Sequence, residues 1–342
     1  MHKPLVSIVM PCRNEEKFLP VCLDSIQRQT LRNWELIIVN DHSHDQSAKI
    51  LENFLKIEKR GRVLHNPGNG LVSALNLGIN HSQSEMIARM DADDIMEPQR
   101  LEMQVKHLQK NTHIELVSCQ SQHFPKPIQK QRKGYQVYVD WTNQILTPED
   151  HCINRFVDCP LAHSSVIFRK SLIQKFGGYQ DGEFPEDFEL WLRWMSHGIK
   201  MEKLPHTLLK WRDHPERTSR TDSRYQPVRF NEIKAKYVKL WIEKEAHLNK
   251  RKIVCWGAGK IARKLSKLLI KNEIRISAFI DLDPKKIGRS NTEIPILSID
   301  QLPPPDKCFV FILVGSRGAR EQIFSYLSDK GFMAGKDFMP LS

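Results

Sequence analysis

Short apolar runs alternate with helical repeats along the first hundred residues. Val6-Ser7-Ile8-Val9-Met10 reads as a buried strand, which Pro11 ends. After the polar stretch Cys12-Arg13-Asn14-Glu15-Glu16, the apolar residues Phe18, Leu19, Cys22, Leu23 and Ile26 recur at helical spacing. A second strand, 35–40, runs into Asp41-His42-Ser43-His44-Asp45, and a helix through Ala48, Ile50, Leu51, Phe54 and Leu55 follows. Val63-Leu64-His65 is a third, short strand, closed by the turn cluster Asn66-Pro67-Gly68-Asn69-Gly70. A helix from about Leu71 ends near Gly78. A fourth strand, 86–90, stops abruptly at Asp91-Ala92-Asp93-Asp94. This alternation predicts an α/β fold with a mostly parallel sheet. Polar loops fall repeatedly at strand C-termini, where the ligand crevice of an open sheet belongs.

Between Gln120 and about Val137 the pattern weakens, and the run Gln129-Lys130-Gln131-Arg132-Lys133 predicts an exposed, basic, mobile segment. Residues 135–141 predict a strand, Thr147-Pro148-Glu149-Asp150 starts a helix, and 162–169 predict another strand. An amphipathic helix then opens near Phe184, with Phe188, Trp191, Leu192 and Met195 on its apolar face. Glu186 and Asp187 stand at its start, where the helix dipole favours anions. A strand at 208–214 leads into Pro215-Glu216-Arg217-Thr218-Ser219-Arg220, a basic, hydroxyl-rich loop suited to a diphosphate. A long helix, from Pro227 to about Ala246, ends the first domain, 1–247.

The second domain, 250–342, repeats the α/β logic on a smaller scale. A strand at 252–256 enters the turn Gly257-Ala258-Gly259, a helix follows, and a second strand ends at Asp281. Gly257 and Gly259 with an acid about twenty positions on follow the dinucleotide fingerprint. One βαβαβ half holds a mononucleotide at most, and this one carries no candidate acid for hydride transfer.

Charge narrows the partners. The net charge of +12 over 342 residues suits polyanions. No zinc-finger spacing, RNA-binding aromatic motif or basic zipper accompanies it, so nucleic acid is not the expected partner and phosphate-bearing small molecules are. Weak attraction to anionic lipid is a secondary expectation. The seven cysteines are scattered, several within apolar strands, which suggests a reducing compartment. With no signal-peptide pattern at Met1-His2-Lys3-Pro4 and no apolar run of membrane-spanning length, the expected location is the cytoplasm, including the inner face of the membrane.

The chemistry centres on Asp91, Asp93 and Asp94. Carboxylates that close repel, and a fold tolerates them most easily around a cation. Hard oxygen ligands suit Mg²⁺ or Mn²⁺. The bland alternative is a solvated turn capping the helix 98–111, a role that Asp94 fits. His151, Cys152, Cys159 and His163 also suggest a zinc set, but their spacing matches no standard finger.

Taken jointly, these motifs resemble the family 2 glycosyltransferases of GT-A fold, over about the first 245 residues. The resemblance rests on 6–15, 38–45, Asn69-Gly70 with Ala74, Asn76 and Gly78, 91–94, 163–169, Gly177-Gly178-Tyr179, Pro185-Glu186-Asp187 and Trp211-Arg212-Asp213-His214. It implies a GT-A nucleotide-diphospho-sugar transferase domain followed by a small Rossmann-like α/β domain. Pro11, Arg13, Glu15 and Asp41 would line the base and ribose pocket, with Asn69 beside them. Asp91 and Asp93 match the DxD pair, with Asp93 as the direct metal ligand and Asp91 facing the ribose or the metal's waters. His214 matches a histidine that approaches the metal or diphosphate, and Asp187, within the Glu186-Asp187 pair, matches the general base of inverting members. Many relatives carry Arg where this chain has Leu75, which leaves Arg217 or Arg220 to meet the phosphates.

The expectation is a metal-dependent inverting transfer from a nucleotide-diphosphate sugar, UDP-linked first of all, to a hydroxyl acceptor, lipid-linked or saccharide. It would serve cell-surface polysaccharide or glycoconjugate synthesis. A sugar nucleotidyltransferase would also want acidic metal ligands, but has no use for the acidic helix start. A non-catalytic nucleotide sensor would bind nucleotide without releasing sugar. The ligand pattern Gly257, Gly259 and Asp281 leaves the second domain's role open between structure, regulation and nucleotide binding.

Overall fold

The computed structural model describes residues 3–125, 133–248, 250–291, 293–316 and 318–342. Of the segment 120–137 expected to be exposed and mobile, 126–132 lie outside the described residues, whereas 120–124 belong to a strand and 133–137 to a helix. By internal contacts the chain forms two compact units. The first comprises 1–148, 160–182 and 186–222; the second comprises 149–159, 183–185 and 223–342. The long helix Pro227–Lys244, which the sequence assigned to the first domain, thus groups with the second. Its buried face explains this: Trp241 packs 5.2 Å from Phe309 of the second sheet, ring centre to ring centre.

The first unit is built on an eight-stranded sheet. Its strands are β1 (Val6–Cys12), β2 (Trp34–Asn40), β3 (Gly61–His65), β4 (Met86–Arg89), β5 (Ile95–Met96), β6 (Leu116–Phe124), β7 (Ile167–Arg169) and β8 (Met201–Arg212). Their order is β3-β2-β1-β4-β7-β6-β8-β5. The helices up to residue 222 are α1 (Leu19–Gln27), α2 (Ser47–Ile57), α3 (Leu71–Asn80), α4 (Arg100–Lys110), α5 (Lys133–Gln144), α6 (Pro148–Asn154), α7 (Ser171–Phe176), α8 (Glu186–Ser196) and α9 (Thr218–Thr221), of which α6 groups from Glu149 on with the second unit. Every residue of β1 and β2 is buried, as expected of parallel strands covered by helices on both faces.

Pairing direction decides where the chemistry gathers. β3, β2, β1 and β4 run parallel. β7 opposes both β4 and β6, and β8 runs parallel to β6. The C-termini of β1, β2, β3, β4, β6 and β8 and the N-terminus of β7 therefore share one edge of the sheet. The motifs that start at Arg13, Asp41, Asp91 and Asp213 leave strands at that edge, while Glu186 and Asp187 open a helix.

Two expectations about strands change. Residues 135–141 are helical within α5, not extended. Val139 and Thr142 are buried, and Tyr135 and Tyr138 pack on Trp211 at 5.5 and 6.0 Å. That spacing of three and four buries one helical face, although the aromatic and β-branched content favoured a strand. The expected strand 162–169 begins as a 3₁₀ turn, His163–Ser165, and becomes extended only at β7. Ser165 closes the turn: its Oγ and backbone N–H both donate to the Ala162 carbonyl, at 2.6 and 2.9 Å.

The second unit contains α10 (Pro227–Lys244), β9 (Lys252–Trp256), α11 (Lys260–Lys271), β10 (Ile276–Ile280), β11 (Ser290–Asn291), β12 (Ile294–Leu297), β13 (Cys308–Ile312), α12 (Ala319–Asp329) and β14 (Phe338–Pro340). Its six strands lie in the order β11-β12-β10-β9-β13-β14, parallel except for β11 against β12. Val254, Trp256, Val310, Ile312, Ile323, Leu327 and Phe338 share its core. No helix among the described residues is long and apolar enough to cross a membrane.

Candidate functional site

The loops after β1, β2 and β3 are laced together before any ligand is considered. Asp41 leaves β2 and accepts from Asn66 Nδ2 at 2.7 Å and from the Gly70 N–H at 3.1 Å to each carboxylate oxygen. Arg13, after β1, reaches Asp41 at 3.4 Å and Asn69 at 3.1 Å. The Asn14 side chain accepts from the His44 N–H at 2.8 Å, and the Glu15 N–H donates to Ser47 Oγ at 2.8 Å. Asn14 and His42 hold left-handed backbones, at φ of 56° and 54°. Arg13, Asp41 and Asn69 thus form one polar cluster, with Glu15 anchored on the same loops and Pro11 buried in β1 behind them.

The acidic motif lies where β4 ends, beside β1. Asp91, Asp93 and Asp94 each offer an oxygen within 4.8 Å of the others, a metal-sized grouping among the described residues. The three are not equivalent. Asp91 is the least buried and pairs with Arg89, a guanidinium almost wholly buried beneath it. Asp93 accepts from His214 Nε2 at 3.0 Å. Burial works against its charge, but the His214 hydrogen bond and the Arg217 guanidinium outweigh that and hold its carboxyl below the ordinary range. Asp93 in turn raises the His214 imidazole above its usual value.

Asp94 is not the expected helix cap. It is fully buried and accepts from Ser164 Oγ and from the Arg212 N–H at 2.7 Å, while α4 starts only at Arg100. Burial and the charges of Asp93 and Asp91 push its carboxyl well up. Glu15 feels the same field. Burial first, then Asp93, Asp91 and Asp94, push it up to about 9.

The strand β8 supplies the basic rim. Arg212 donates through Nε to the Asp93 carbonyl at 2.6 Å and lies over the Phe18 ring. Asp213 is buried and held by Arg220 at 2.6 and 2.8 Å, so Arg220 braces the loop. Arg217 stacks on Trp211 at 3.8 Å, acts on Asp93 and Asp94, and keeps a buried Nη1 without a hydrogen-bond partner among the described residues. Of the two arginines offered in place of Leu75, Arg220 is committed through Nε and Nη2 to Asp213, whereas Arg217 acts on Asp93 and Asp94; Leu75 itself is buried in α3.

Glu186 and Asp187 open α8. Glu186 is buried, with an oxygen 3.8 Å from His163 Nδ1. Asp187 is half-buried, and its Oδ1 accepts from the Phe188 N–H at 2.7 Å. Burial and the neighbouring Glu186 push its carboxyl up to about 7, while Arg89 opposes the rise and Asp91 adds to it. Asp187 thus lies within the electrostatic reach of the acidic motif. His163 shares a 2.6 Å hydrogen bond with the Tyr179 hydroxyl, and burial keeps its imidazole neutral.

The loop before α8 is held from both sides. Asn76 of α3 clamps Tyr179, accepting from its N–H at 3.0 Å and donating to its carbonyl at 2.9 Å. Arg193, paired with Glu189, donates to the carbonyls of Gly177 and Gly178 at 3.1 and 2.7 Å. A Cβ on Gly178 would fall 2.5 Å from Asn76 Oδ1, so only glycine fits. Sequence reading assigned no role to Arg89, Ser164, Arg193 or Arg212, although Ser164 and Arg212 fall within its motifs. An arginine inside the apolar run Met86–Met90 was the available signal for Arg89, since a charge in a buried strand needs a partner.

The donor set fits a hard divalent cation: three carboxylates, one of them held ionised, with imidazole and guanidinium groups at the rim. His151, Cys152, Cys159 and His163 do not form such a group among the described residues.

In the second unit, Gly257 takes a φ of 107°, and a Cβ there would meet Val314 at 2.8 Å. Asp281 accepts from the Ala258 N–H at 2.8 Å and the Asp283 N–H at 2.9 Å, with Lys286 Nζ 3.2 Å away. Both of its oxygens are engaged in tying the glycine turn to the end of β10. Gly259 is open to solvent on its Cα side.

Comparison with known proteins agrees with this geometry. Residues 7–176 match the model of glycosyl transferase family 2, and 249–334 match that of the C2185-like N-terminal family. A glycosyltransferase of Haemophilus influenzae is 28% identical over 248 residues, 70% of this chain and 75% of the relative. The O-antigen biosynthesis glycosyltransferase WbnJ of Escherichia coli is 29% identical over 230 residues, 65% of this chain and 84% of the relative. Among solved structures, S. aureus TarS 1–349 in complex with UDP-GlcNAc superposes with a TM-score of 0.56 at 15% identity, covering 78% of this chain and 71% of that one.

Proposed function

The chain belongs to glycosyl transferase family 2 through its first unit and is a glycosyltransferase of GT-A fold; from that premise we propose an inverting, metal-dependent transfer from a nucleotide-diphosphate sugar. The observation that carries the proposal is that two groups leave strands at one sheet edge while a third, at a helix start, lies within electrostatic reach of one of them. They are the polar cluster of Arg13, Asp41 and Asn69, the acidic group Asp91 and Asp93 with His214, and Asp187 at the start of α8.

The assignment of roles follows from chemistry. Pro11, Arg13, Glu15, Asp41 and Asn69 take the base and ribose. Asp93, with Asp91 and His214, would hold Mn²⁺ or Mg²⁺. When bound, that cation supplies charge neutralisation for the departing diphosphate. Arg217, whose buried Nη1 has no hydrogen-bond partner among the described residues, takes a phosphate oxygen. Asp187 removes the acceptor hydroxyl's proton, and its carboxyl near pH 7 suits a base working at neutral pH. Burial first, and then repulsion from Glu186, raise that carboxyl. The His163–Tyr179 pair and the Asn76 clamp fix the wall beside it. A base opposite the leaving group implies one displacement, hence inversion.

UDP-linked sugars are the first donors to test, since UDP-GlcNAc occupies the TarS relative in fold. A role in cell-surface polysaccharide synthesis is supported by the O-antigen assignment of WbnJ. In the second unit the Gly257–Gly259 turn is the place for a nucleotide phosphate, with Asp281 holding the turn. The test of the mechanism is stereochemical. Proton NMR of product formed from an α-linked donor should show a β linkage, and an α linkage would overturn Asp187 as an in-line base.

A further inference from the structure

The positive charge of this chain is not evenly spread. Of a net +12, residues 260–275 hold six cations, Lys260, Arg263, Lys264, Lys267, Lys271 and Arg275, against one acid, Glu273. All but Arg275 lie on α11. Ala262, Leu265, Ser266 and Leu269 turn inward and are buried, so at 100° per residue the five cations share the opposite, exposed face. Lys260 and Lys264, Arg263 and Lys267, and Lys267 and Lys271 stand four apart, a spacing at which like charges repel.

Other helices offset such charges. Lys49 pairs with Glu52 in α2, and Lys239 with Glu243 in α10. None of the six cations makes an ion pair among the described residues, and Glu273 lies 3.7 Å from Lys239 instead. The α11 face therefore carries repulsion that an external anion relieves.

A shallow recess adjoins this face. Ile270, Ile274, Ile276 and Ile294 line it between Lys267 and Arg275, and Ile270 is exposed at its rim. An apolar floor between two cations suits an amphiphilic anion. Single-stranded nucleic acid sites instead interleave cations with aromatic rings, and α11 has no aromatic residue. We propose that the α11 face docks the chain on an anionic lipid bilayer, its cations on headgroup phosphates and the isoleucine recess on the apolar part of a lipid. The inference does not depend on the sugar chemistry of the first unit. Each cation near an anionic surface strengthens adsorption roughly fivefold.

The test uses the full chain and vesicles of phosphatidylcholine with or without phosphatidylglycerol. Co-sedimentation should require phosphatidylglycerol and weaken from low to high salt. The variant K264E/K267E/K271E should bind these vesicles well over roughly 100-fold more weakly, since three attractions of about fivefold each are lost and replaced by repulsions. Its helical circular dichroism and nucleotide affinity should be unchanged, since these side chains are exposed and lie outside the proposed sugar-transfer site. A variant that fails to fold is replaced by K264Q/K267Q/K271Q, expected to lose binding to a smaller extent. Failure to bind phosphatidylglycerol vesicles overturns the proposal. So does equal binding to both vesicle types, equal binding by the folded variant, or tighter binding to duplex DNA than to vesicles at the same salt.

Discussion

His214 Nε2 lies 3.0 Å from Asp93 Oδ2, although 121 positions separate the two residues. The contact joins the exit of β8 to the exit of β4 and makes each group favour its charged form. It also places an imidazole at the carboxylate expected to meet a metal. If that pairing organises the cation site, Asp93→Asn should weaken Mn²⁺-dependent nucleotide binding by at least the roughly tenfold to hundredfold that loss of a supporting ligand costs. His214→Ala should cost less. Calorimetric titration of Mn²⁺ and UDP into each variant checks this, and affinities equal to the parent's would remove Asp93 from the site.

Asp187→Asn should keep donor affinity and lose transfer by roughly 10²–10⁴-fold, the range of a positioned general base. Donor binding by calorimetry and turnover by released nucleotide separate the two effects. Full turnover in this variant would sink the base assignment.

The pH dependence follows from the same residue. Asp187 must be ionised to act, so transfer should rise with pH through about 7 and level off above it. Stability runs the other way. A carboxyl raised in the folded state binds protons that the unfolded chain has released, so its stabilising contribution is present below the unfolded value and is lost as pH rises through about 7. In metal-free protein at pH 8, Asp187→Asn should therefore melt a few degrees above the parent. An equal or lower melting temperature would contradict the raised carboxyl.

Much of this arrangement was legible in the sequence because it is local. Apolar runs ending in polar loops located β1, β2 and β4, and the carboxyl-end rule put their polar loops on one edge of the sheet. What escaped depends on tertiary partners. Asp94 has the look of a helix cap, but Ser164 and the backbone of Arg212 turn it into a buried strut. Residues 135–141 carry strand-like side chains, yet Trp211 offers a surface that only a helical face can cover. Asp281 fits a ribose ligand by spacing, while Ala258 and Asp283 already occupy its oxygens.

Gly178→Ala tests the wall beside the base. Its new Cβ would meet Asn76 Oδ1 at 2.5 Å and force apart the clamp on Tyr179. The expected cost is about 1–3 kcal/mol of stability, with a larger loss of transfer than of nucleotide affinity. Thermal melts with parallel kinetics would show it, and unaltered kinetics would mean that the loop does not shape the acceptor side.

Arg217→Ala should raise the donor KM roughly tenfold to a hundredfold, the cost of a charged hydrogen bond. Arg217→Lys keeps the charge but not the guanidinium fork stacked on Trp211, and should fall between. A donor KM unmoved by either change would take Arg217 off the diphosphate.

The most direct measurement is a panel of nucleotide-diphosphate sugars titrated into the full chain with Mn²⁺, with Mg²⁺ and with chelator, scored for binding and for slow sugar release. At least one donor should bind and hydrolyse with a cation, lose affinity with chelator, and lose it again in Asp93→Asn. If no nucleotide-diphosphate sugar binds with either metal, the assignment of this edge as a sugar-transfer site is wrong.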